Sequence, residues 1–497
     1  MRPLSHWFGK QKMKVRQQMR GGVENKQEEN IAPTLDHMLA EFEGCADLIH
    51  RTFPQINTDV LFFAHLVGND NFNRDVLTPL LNVNANDIDN LLQQSQFVEA
   101  NDAKQCVKAI LDGHAAIFYG QKTYTVDVYG PPSRSINQSE TESVITGPHD
   151  AFIEDIATNL SLIRRRVKSS HLKSVKLSVG EITKSDIYVL YIKDLADQEL
   201  VDELIRRIQD IEIDNVFEGN MLVQYIDENP NSVFPQFLTT ERTDVVASKL
   251  VGGKIAVLVD SSPSAICAPT SFFEFFSSPD DHYQRWALGS ALRLMRFVAF
   301  IITVAFTSFY VAVTTFHYEM IPQALLINLA ESRSKVPFPP LIEALLMEIM
   351  IELLREAGAR LPAKIGQTIG IVGGIVIGQA AVQAGLTSNV LIIAVASSAI
   401  ASFVIPSYIM SASIRLLRFG LIILAGIWGN MGLLLGMGVI IIHLAGITNL
   451  GTSYLMPVAP MVFKDWKDTF IRGPLWAIKS RSSQSRTENE VKNKVRR

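Results

Sequence analysis

The stretch that decides the architecture is FVAFIITVAFTSFYVAVTTF, Phe297 to Phe316, which contains 20 residues and no charge. A helix rises ~1.5 Å per residue, so this stretch can cross the ~30 Å hydrocarbon core of a bilayer. Arg293 and Arg296 lie just before it and favour a cytoplasmic N-terminal side. The sequence therefore predicts a cytoplasmic N-terminal region followed by an integral membrane region.

Further long apolar stretches predict an all-α membrane domain over residues 291–463. Its predicted spans are about 297–316, 366–386, 389–414 and 419–443. Residues 444–463 are also uncharged, but their glycines and prolines do not suit a lipid-facing helix. A basic cytoplasmic tail is predicted over 464–497.

Residues 341–357 predict an amphipathic acidic helix within this domain. Glu348, Glu352 and Glu356 repeat every four residues and share one face. Charges that face lipid are costly, so the helix is interfacial, buried in a bundle or lining water.

Charge counting does not choose between four and five spans. With four spans, 8 of the lysines and arginines that flank the spans lie inside and 7 lie outside. The outside group includes Arg415 and Arg418. Treating 341–357 as a fifth span exchanges the groups after it and again gives 8 against 7. The glutamates favour four spans, with both termini in the cytoplasm.

Small residues at helical spacing predict close contacts between helices. One such face carries Gly366, Gly370, Gly374 and Gly378. A second carries Gly426, Gly429, Gly432 and Gly436. Glycines at this spacing let backbones approach closely, either within one subunit or between subunits and around a pore.

Four polar side chains of this domain are candidates for lining a pore. Gln379 and Gln383 lie one turn apart in an apolar helix, and amides there seek partners or water. In an oligomer, Glu348 and Glu352 would form rings of carboxylates, which select cations. The alternative is internal pairing, for example between Glu352 and Arg355.

The residues before the first span predict an α/β region of two subdomains, 35–130 and 143–290. Tyr129–Glu142 is rich in turn residues and is the predicted linker. Helices and strands alternate in the second subdomain. The helices are predicted at Ala151–Val167 and Glu199–Ile211, and the strands at Ser174–Val179, Asp186–Ile192, Met221–Ile226 and Lys254–Val259. Residues 1–34 are polar and are predicted to be a disordered basic tail.

Composition excludes several classes of function. The net charge of −4 argues against a nucleic-acid partner recruited by global charge. Cys45, Cys106 and Cys267 lie far apart, so neither a zinc site nor a disulfide framework is predicted. Nucleophile-elbow, Walker A and zinc-protease motifs are absent from the sequence. We therefore expect no enzyme activity, no cofactor and no metal.

Several ordered motifs resemble the A-subunit family of bacterial spore germinant receptors, the GerA family. The similarity covers GPHDAFIE from Gly147, TNLSLIRRR from Thr158, TERTD from Thr240, Lys254–Pro263 and ELLREAG from Glu352. The motif residues are Gly147, Pro148, Phe152, Glu154, Asn159, Arg164, Arg165, Arg166, Glu241, Arg242, Asp244, Asp260 and Pro263. Thr243 and Ser261 depart from the proline and glycine usual in this family. Independently of the resemblance, Arg164–Arg166 end a predicted helix, either as a solvated end or as a docking or anion site.

The resemblance implies a subunit that triggers spore germination in response to nutrients. It implies B and C subunits as partners, a location in the spore inner membrane, and homo-oligomers that form an ion-conducting channel in contact with membrane lipid. The alternatives are a non-conducting scaffold and a secondary transporter. A transporter would show an internal repeat of helices, and the sequence shows none.

Overall fold

The computed structural model describes residues 32–85, 87–131, 139, 142, 146–361, 374, 376 and 378–492. The chain forms two compact units. The first contains Leu48–Gly130 and the residues up to Glu43, and the second contains Gly44–Asp47 and the chain from Pro131 onward. Most of the predicted tail over 1–34 and most of the predicted linker lie outside the described residues.

The first unit is an antiparallel sheet of five strands with helices packed against it. Its strand order is β1-β2-β4-β5-β3. The strands are β1 (Leu48–Phe53), β2 (Thr58–Phe63), β3 (Val98–Glu99), β4 (His114–Tyr119) and β5 (Lys122–Asp127). The helices are α1 (Leu35–Glu41), α2 (Asn69–Phe72), α3 (Thr78–Asn82), α4 (Ile88–Leu92) and α5 (Ala103–Leu111). Val60, Ile88 and Ile117 lie in its buried core.

The second unit begins with another antiparallel sheet of five strands, in the order β6-β7-β9-β10-β8. The strands are β6 (Leu172–Val179), β7 (Ser185–Ile192), β8 (Leu238–Thr240), β9 (Ile255–Val259) and β10 (Ala265–Ala268). The helices around it are α6 (Ile156–Arg166), α7 (Gln198–Gln209), α8 (Gly219–Ile226), α9 (Thr243–Val251) and α10 (Asp280–Tyr283).

Strand β9 is apolar throughout because both faces of this sheet are covered. Val257 and Val259 face one core, which includes residues of α7 and α8. Ala256 and Leu258 face another, which includes residues of α6 and α9. Successive side chains of a strand point to opposite faces, so helices on both sides require an unbroken apolar run.

Two elements of this sheet region differ from the sequence prediction. The predicted strand Met221–Ile226 is wrong, because these residues belong to helix α8, in which Leu222 and Ile226 are buried one turn apart. A short apolar run does not distinguish a strand from a buried helix by its periodicity. Helix α6 begins five residues later than predicted, at Ile156, where the Asp155 side chain accepts a hydrogen bond from Thr158 N.

The rest of the second unit is mainly helical. The helices are α11 (Trp286–Phe316), α12 (Gln323–Arg333), α13 (Pro340–Arg360), α14 (Asn389–Phe403), α15 (Tyr408–Gly446) and α16 (Trp466–Thr469), and residues 378–383 are also helical. The short strands β11 (Thr448–Asn449) and β12 (Thr452–Ser453) form a hairpin after α15. Within the described residues, α11 and α15 are long and apolar enough to cross a membrane.

Helix α15 is a hairpin of two antiparallel arms. At Gly429 the backbone has φ 60° and ψ −141°, which breaks the helix. A Cβ atom on Gly436 would lie 2.5 Å from Leu421 Cδ2, so the second arm folds back along the first. The start of the first arm and the end of the second arm lie beside the same loop. Ser413 donates to Val233 O (2.6 Å), and His443 Nε2 lies 2.9 Å from Ser232 Oγ.

The structure therefore corrects two predicted spans. The predicted span over 419–443 reverses at Gly429 and is not a single helix. The predicted span over 389–414 is two helices, because α14 ends at Phe403 and Ser407 caps the start of α15 just after Pro406. Arg415 and Arg418 consequently lie inside a helix rather than in a loop, so they cannot be counted as loop charges.

The predicted basic tail over 464–497 is folded against the second unit as far as residue 492. Arg481 Nε donates to Val251 O (3.1 Å), and Arg486 Nη2 donates to Gly451 O (2.9 Å). Gln484 is buried, and its Oε1 accepts a hydrogen bond from Lys254 Nζ at 3.2 Å. This segment ties the sheet region to the hairpin that follows α15.

Candidate functional site

Five charged side chains meet between α13 and α15, and we call them the charge ladder. Glu348, Glu352 and Arg355 lie on α13, and Arg415 and Arg418 lie on α15. Spacings of three and four residues bring them to one face of each helix. The ladder therefore lies along a single seam between two helices.

The inner rung of the ladder is fully buried. Arg418 Nη2 lies 2.5 Å from Glu348 Oε2, and neither side chain has exposed surface. Thr307 of α11 donates to Glu348 Oε1 (2.9 Å), and Arg418 Nη1 donates to Ser398 Oγ of α14 (2.8 Å). This rung therefore joins four helices through polar contacts.

The outer rung is more open. Arg415 Nε lies 3.0 Å from Glu352 Oε1, and 35% of the Glu352 side chain is exposed. Arg355 Nη2 donates to Ser402 Oγ (3.0 Å), and its guanidinium lies over the Phe403 ring at 4.6 Å. The pairing of Glu352 with Arg355, the alternative to a pore-lining role, is present at 3.8 Å, but Arg415 is the closer partner.

The ladder carries three arginines and two glutamates, so it has one excess positive charge. Arg355 Nε and Arg418 Nε have no hydrogen-bond partner among the described residues. Charged groups inside an apolar helical bundle are costly, and they are typical of ion pathways and other functional sites. Arg415 and Arg418 were not among the predicted site residues, although they are the only Lys, Arg, Asp or Glu residues between Asn389 and Phe463.

The contacts of the charge ladder also determine which side of the acidic helix α13 is buried. On α13 the side chains of Glu343 and Glu348 are buried, whereas Leu346, Ile349 and Leu353 are exposed. The charged face therefore packs into the bundle and the apolar face points outward. Of the three positions that the sequence left open, burial in a bundle is the one observed for Glu348.

The glycine face and the glutamines are separate from these buried contacts. Gly366 and Gly370 lie outside the described residues. A Cβ atom on Gly374 or Gly378 would meet nothing within 4 Å, and Gln379 and Gln383 are exposed. The described part of this face is thus open in the single chain.

The arginines at the end of α6 do not behave as one solvated group. Arg164 is buried and binds both oxygens of Asp47, at 2.8 and 2.7 Å, while its Nη1 donates to Leu172 O. Burial raises the pKa of Asp47, but the charge and hydrogen bonds of Arg164 outweigh it and hold that pKa below its ordinary value. Arg166 binds Asp150 at 2.7 Å, and Arg165 is exposed. Arg164 is therefore a structural residue and not a docking site.

The remaining motif residues form the framework beside β8 and α9. Arg242 pairs with Asp244 at 2.7 Å and donates to Pro148 O, and Tyr283 donates to Asp244 at 2.5 Å. Gly147 has φ +128°, and a Cβ atom there would lie 2.7 Å from the Tyr283 ring. The contacts in this framework are hydrogen bonds and ion pairs that hold loops together.

The other motif positions make backbone contacts in the same framework. Phe152 N donates to Glu241 O (2.7 Å), and Ile153 N donates to Asn159 Oδ1 (2.8 Å). Ser261 N donates to Glu154 O, Asp260 N donates to Asp186 O, and Pro263 is half-buried in the β9–β10 turn. In the described part of the chain, no group of three or more His, Cys, Asp or Glu residues could hold a metal ion.

Comparison with known proteins identifies the family. The model of the Bacillus/Clostridium GerA spore germination protein family matches residues 36–484. The chain belongs to the GerA family. The resemblance of the sequence motifs to this family is therefore confirmed.

Relatives of this GerA-family chain match it almost from end to end. It is 41% identical to the spore germination protein GerQA of Bacillus cereus over 93% of this chain and 95% of that protein. It is 34% identical to the uncharacterized membrane protein YfkQ of Bacillus subtilis (strain 168), over 92% of this chain and 93% of that protein. A solved structure, the N-terminal domain of the A subunit of the Bacillus megaterium spore germinant receptor GerK3, covers 48% of this chain and 94% of that one with 22% identity and a TM-score of 0.37.

Proposed function

We propose that this GerA-family chain is the A subunit of a nutrient-responsive spore germination receptor and acts with B and C subunits. Membership of the family and the name of the close relative GerQA support this role. We also propose that its helical region spans the spore inner membrane, with the N-terminal region in the cytoplasm. The apolar helix α11 and the apolar arms of α15 support this placement, as does the name of the relative YfkQ. We expect no catalytic activity.

The finer proposal is that several copies assemble into an ion-conducting channel. The charge ladder carries this proposal. Charges buried in a membrane bundle are costly and therefore rare, and where they occur they typically form an ion pathway or stabilise the helices around it. The open face at Gly374 and Gly378 and the outward apolar face of α13 supply surfaces for helix contacts between copies.

The ladder suggests different roles for the two glutamates proposed to line the pore. Glu352 is partly exposed, so it can contact a path along the surface of α13. Glu348 is enclosed by Arg418 and Thr307, so it can contact ions only if that rung opens. Gln379 and Gln383 remain proposed pore-lining residues on the exposed helix.

The channel proposal is tested with receptor complexes reconstituted in liposomes. Nutrient should trigger release of monovalent cations, and Glu352→Gln should shift the reversal potential under a salt gradient toward weaker cation preference. Glu331→Gln is the control, because Glu331 is an exposed glutamate of α12 that lies outside the acidic face of α13. Correctly assembled complexes without conductance would favour the scaffold, and stoichiometric nutrient uptake would favour the transporter.

Assembly is tested separately with Gly374→Leu. The added side chain meets open space in one chain, so the single chain should keep its thermal stability. If copies pack through this face, the substitution should reduce the oligomer seen by size-exclusion chromatography with light scattering. An unchanged oligomer would contradict packing through Gly374.

A further inference from the structure

A group of exposed apolar side chains follows the last helical arm, and we call it the interfacial patch. Its members are Met461, Phe463, Ile471, Leu475 and Trp476. At least half of each residue is exposed. Soluble surfaces seldom display several large apolar side chains in one short segment without a partner.

Contacts with α11 fix the level of this patch along the helix. The Phe470 ring packs on the Phe297 ring with centroids 5.3 Å apart. Ser290 Oγ donates to Arg472 O (2.9 Å), and Arg293 donates to Asp468 O. Phe297 is the first residue of the uncharged stretch, so Phe470 lies where the apolar part of α11 begins, and Arg472 lies about two turns before it, beside Ser290.

The surroundings of the patch fit an anionic lipid surface. Lys467 and Lys479 are exposed within the same segment. The nearby acids are paired within the protein, because Asp465 Oδ2 accepts from Ser483 N, Asp468 Oδ1 lies 3.7 Å from Arg293, and the exposed Glu490 binds Lys464. Tryptophan and basic residues concentrate at membrane interfaces, and anionic headgroups attract lysines close to the surface.

Helix α11, which the segment contacts, also has an exposed apolar side. Leu294, Val298 and Ile301 of that helix are exposed and lie at a helical spacing that keeps them on one side. If α11 spans the membrane, this side contacts lipid or another protein from the interface inward. The patch lies at the same end of the helix.

We propose that the interfacial patch inserts into the headgroup region of an anionic cytoplasmic leaflet and anchors the C-terminal segment there. This inference rests on the membrane placement proposed above. It assigns residues 461–479 to a lipid contact rather than to a freely solvated tail.

The experiment uses the full-length chain in nanodiscs whose lipids carry bromine near the headgroup, because bromine quenches nearby tryptophan. The difference between the wild type and Trp476→Phe isolates the Trp476 signal. We expect brominated lipids to reduce this signal, and to reduce it more in discs that contain phosphatidylglycerol than in phosphatidylcholine alone. Lys467→Glu together with Lys479→Glu should abolish the phosphatidylglycerol effect.

Two other tryptophans provide controls. Trp286 is about as exposed as Trp476 and precedes Phe297 by three helical turns, but it lies only one turn before Ser290, which contacts Arg472, so we expect it to be quenched less than Trp476. Trp428 lies beside the Gly429 reversal of α15 and should be quenched if the hairpin is embedded.

The controls separate failure of this inference from failure of the membrane placement. A quenched Trp428 with an unquenched Trp476 would overturn the interfacial patch alone. Trp476 that is unquenched and blue-shifted would indicate that protein covers the patch, from a second copy or another subunit. An unquenched Trp428 would argue against the membrane placement itself.

Discussion

Glu348 of α13 and Arg418 of α15 form an ion pair of 2.5 Å in which neither side chain has exposed surface. Thr307 and Ser398 supply further hydrogen bonds to this pair from two other helices. A buried charge without its partner costs far more than the pair contributes when complete. The pair therefore dictates which substitutions the helical bundle tolerates.

Arg418→Met should strongly destabilise the bundle, because it leaves Glu348 buried without a countercharge. The expected loss is about 3–5 kcal/mol, measured by thermal unfolding in detergent. The double variant Glu348→Leu/Arg418→Met should recover much of this loss, since it removes both charges. As a control, Arg360→Met breaks an exposed pair and should cost at most ~1 kcal/mol. A double variant as unstable as Arg418→Met would contradict the pairing.

Gly429→Ala should weaken the hairpin within α15. Its φ of 60° with ψ of −141° is a conformation that residues with a side chain rarely adopt, and a Cβ atom would approach Phe316 and His317. We expect a loss of about 1–3 kcal/mol in thermal unfolding. Gly438→Ala is the matched control in the second arm, where a Cβ meets nothing within 4 Å. Equal stability of the two variants would argue against the reversal at Gly429.

Ser261→Gly should stabilise the second sheet. Ser261 has φ +62°, where a side chain costs about 1–2 kcal/mol and glycine does not. We expect a gain of about 1 kcal/mol, because the lost backbone freedom of glycine offsets part of the relief. Ser262→Gly is the contrasting neighbour, since its buried hydroxyl accepts from Gly219 N. A lower melting temperature for Ser261→Gly would contradict the strain.

Asp47→Asn should destabilise the second unit at neutral pH and flatten its response to acid. Arg164 lowers the pKa of Asp47 in the folded state despite the opposing effect of burial. A carboxyl with a lowered folded pKa contributes stability above its unfolded pKa of ~4, and that stability is lost as pH falls through the folded pKa.

The two unfolding curves should therefore converge with acidification. Denaturant unfolding of the full chain, monitored between neutral and acidic pH, measures this difference. Asp210→Asn removes an exposed partner of Arg206 and should leave the profile unchanged. A constant gap between Asp47→Asn and the wild type at all pH values would contradict the ion pair.

A soluble fragment of residues 35–285 should show mixed α/β circular dichroism, because it retains both five-stranded sheets. It lacks Leu450, which belongs to a core of the second sheet, and Tyr454, whose backbone oxygen accepts from Phe272 N. We therefore expect it to unfold at a lower temperature than the full chain and to self-associate in ultracentrifugation. Unfolded fragments from several boundary choices would contradict the two-part architecture.

Local patterns were sufficient to predict much of the α/β region. Leu204 and Ile208 recur on one face of α7, and β7 carries the buried apolar run Ile187–Leu190, so helical periodicity and short apolar runs identified these elements. The helix α8 was missed because its apolar run is too short for periodicity to separate a strand from a helix. Within the charge ladder, the glutamates were visible from their four-residue spacing, whereas their partners on α15 were not.

The sequence by itself determined that apolar helices follow an α/β region, because length, charge and periodicity are properties of neighbouring residues. It also determined membership of the GerA family through motifs that keep their order along the chain. Only the tertiary structure decided that α15 folds back at Gly429, that Arg418 meets Glu348, and that Gln484 covers Lys254. These contacts join residues far apart in the chain, and helix packing selects such partners from many that satisfy the same local patterns.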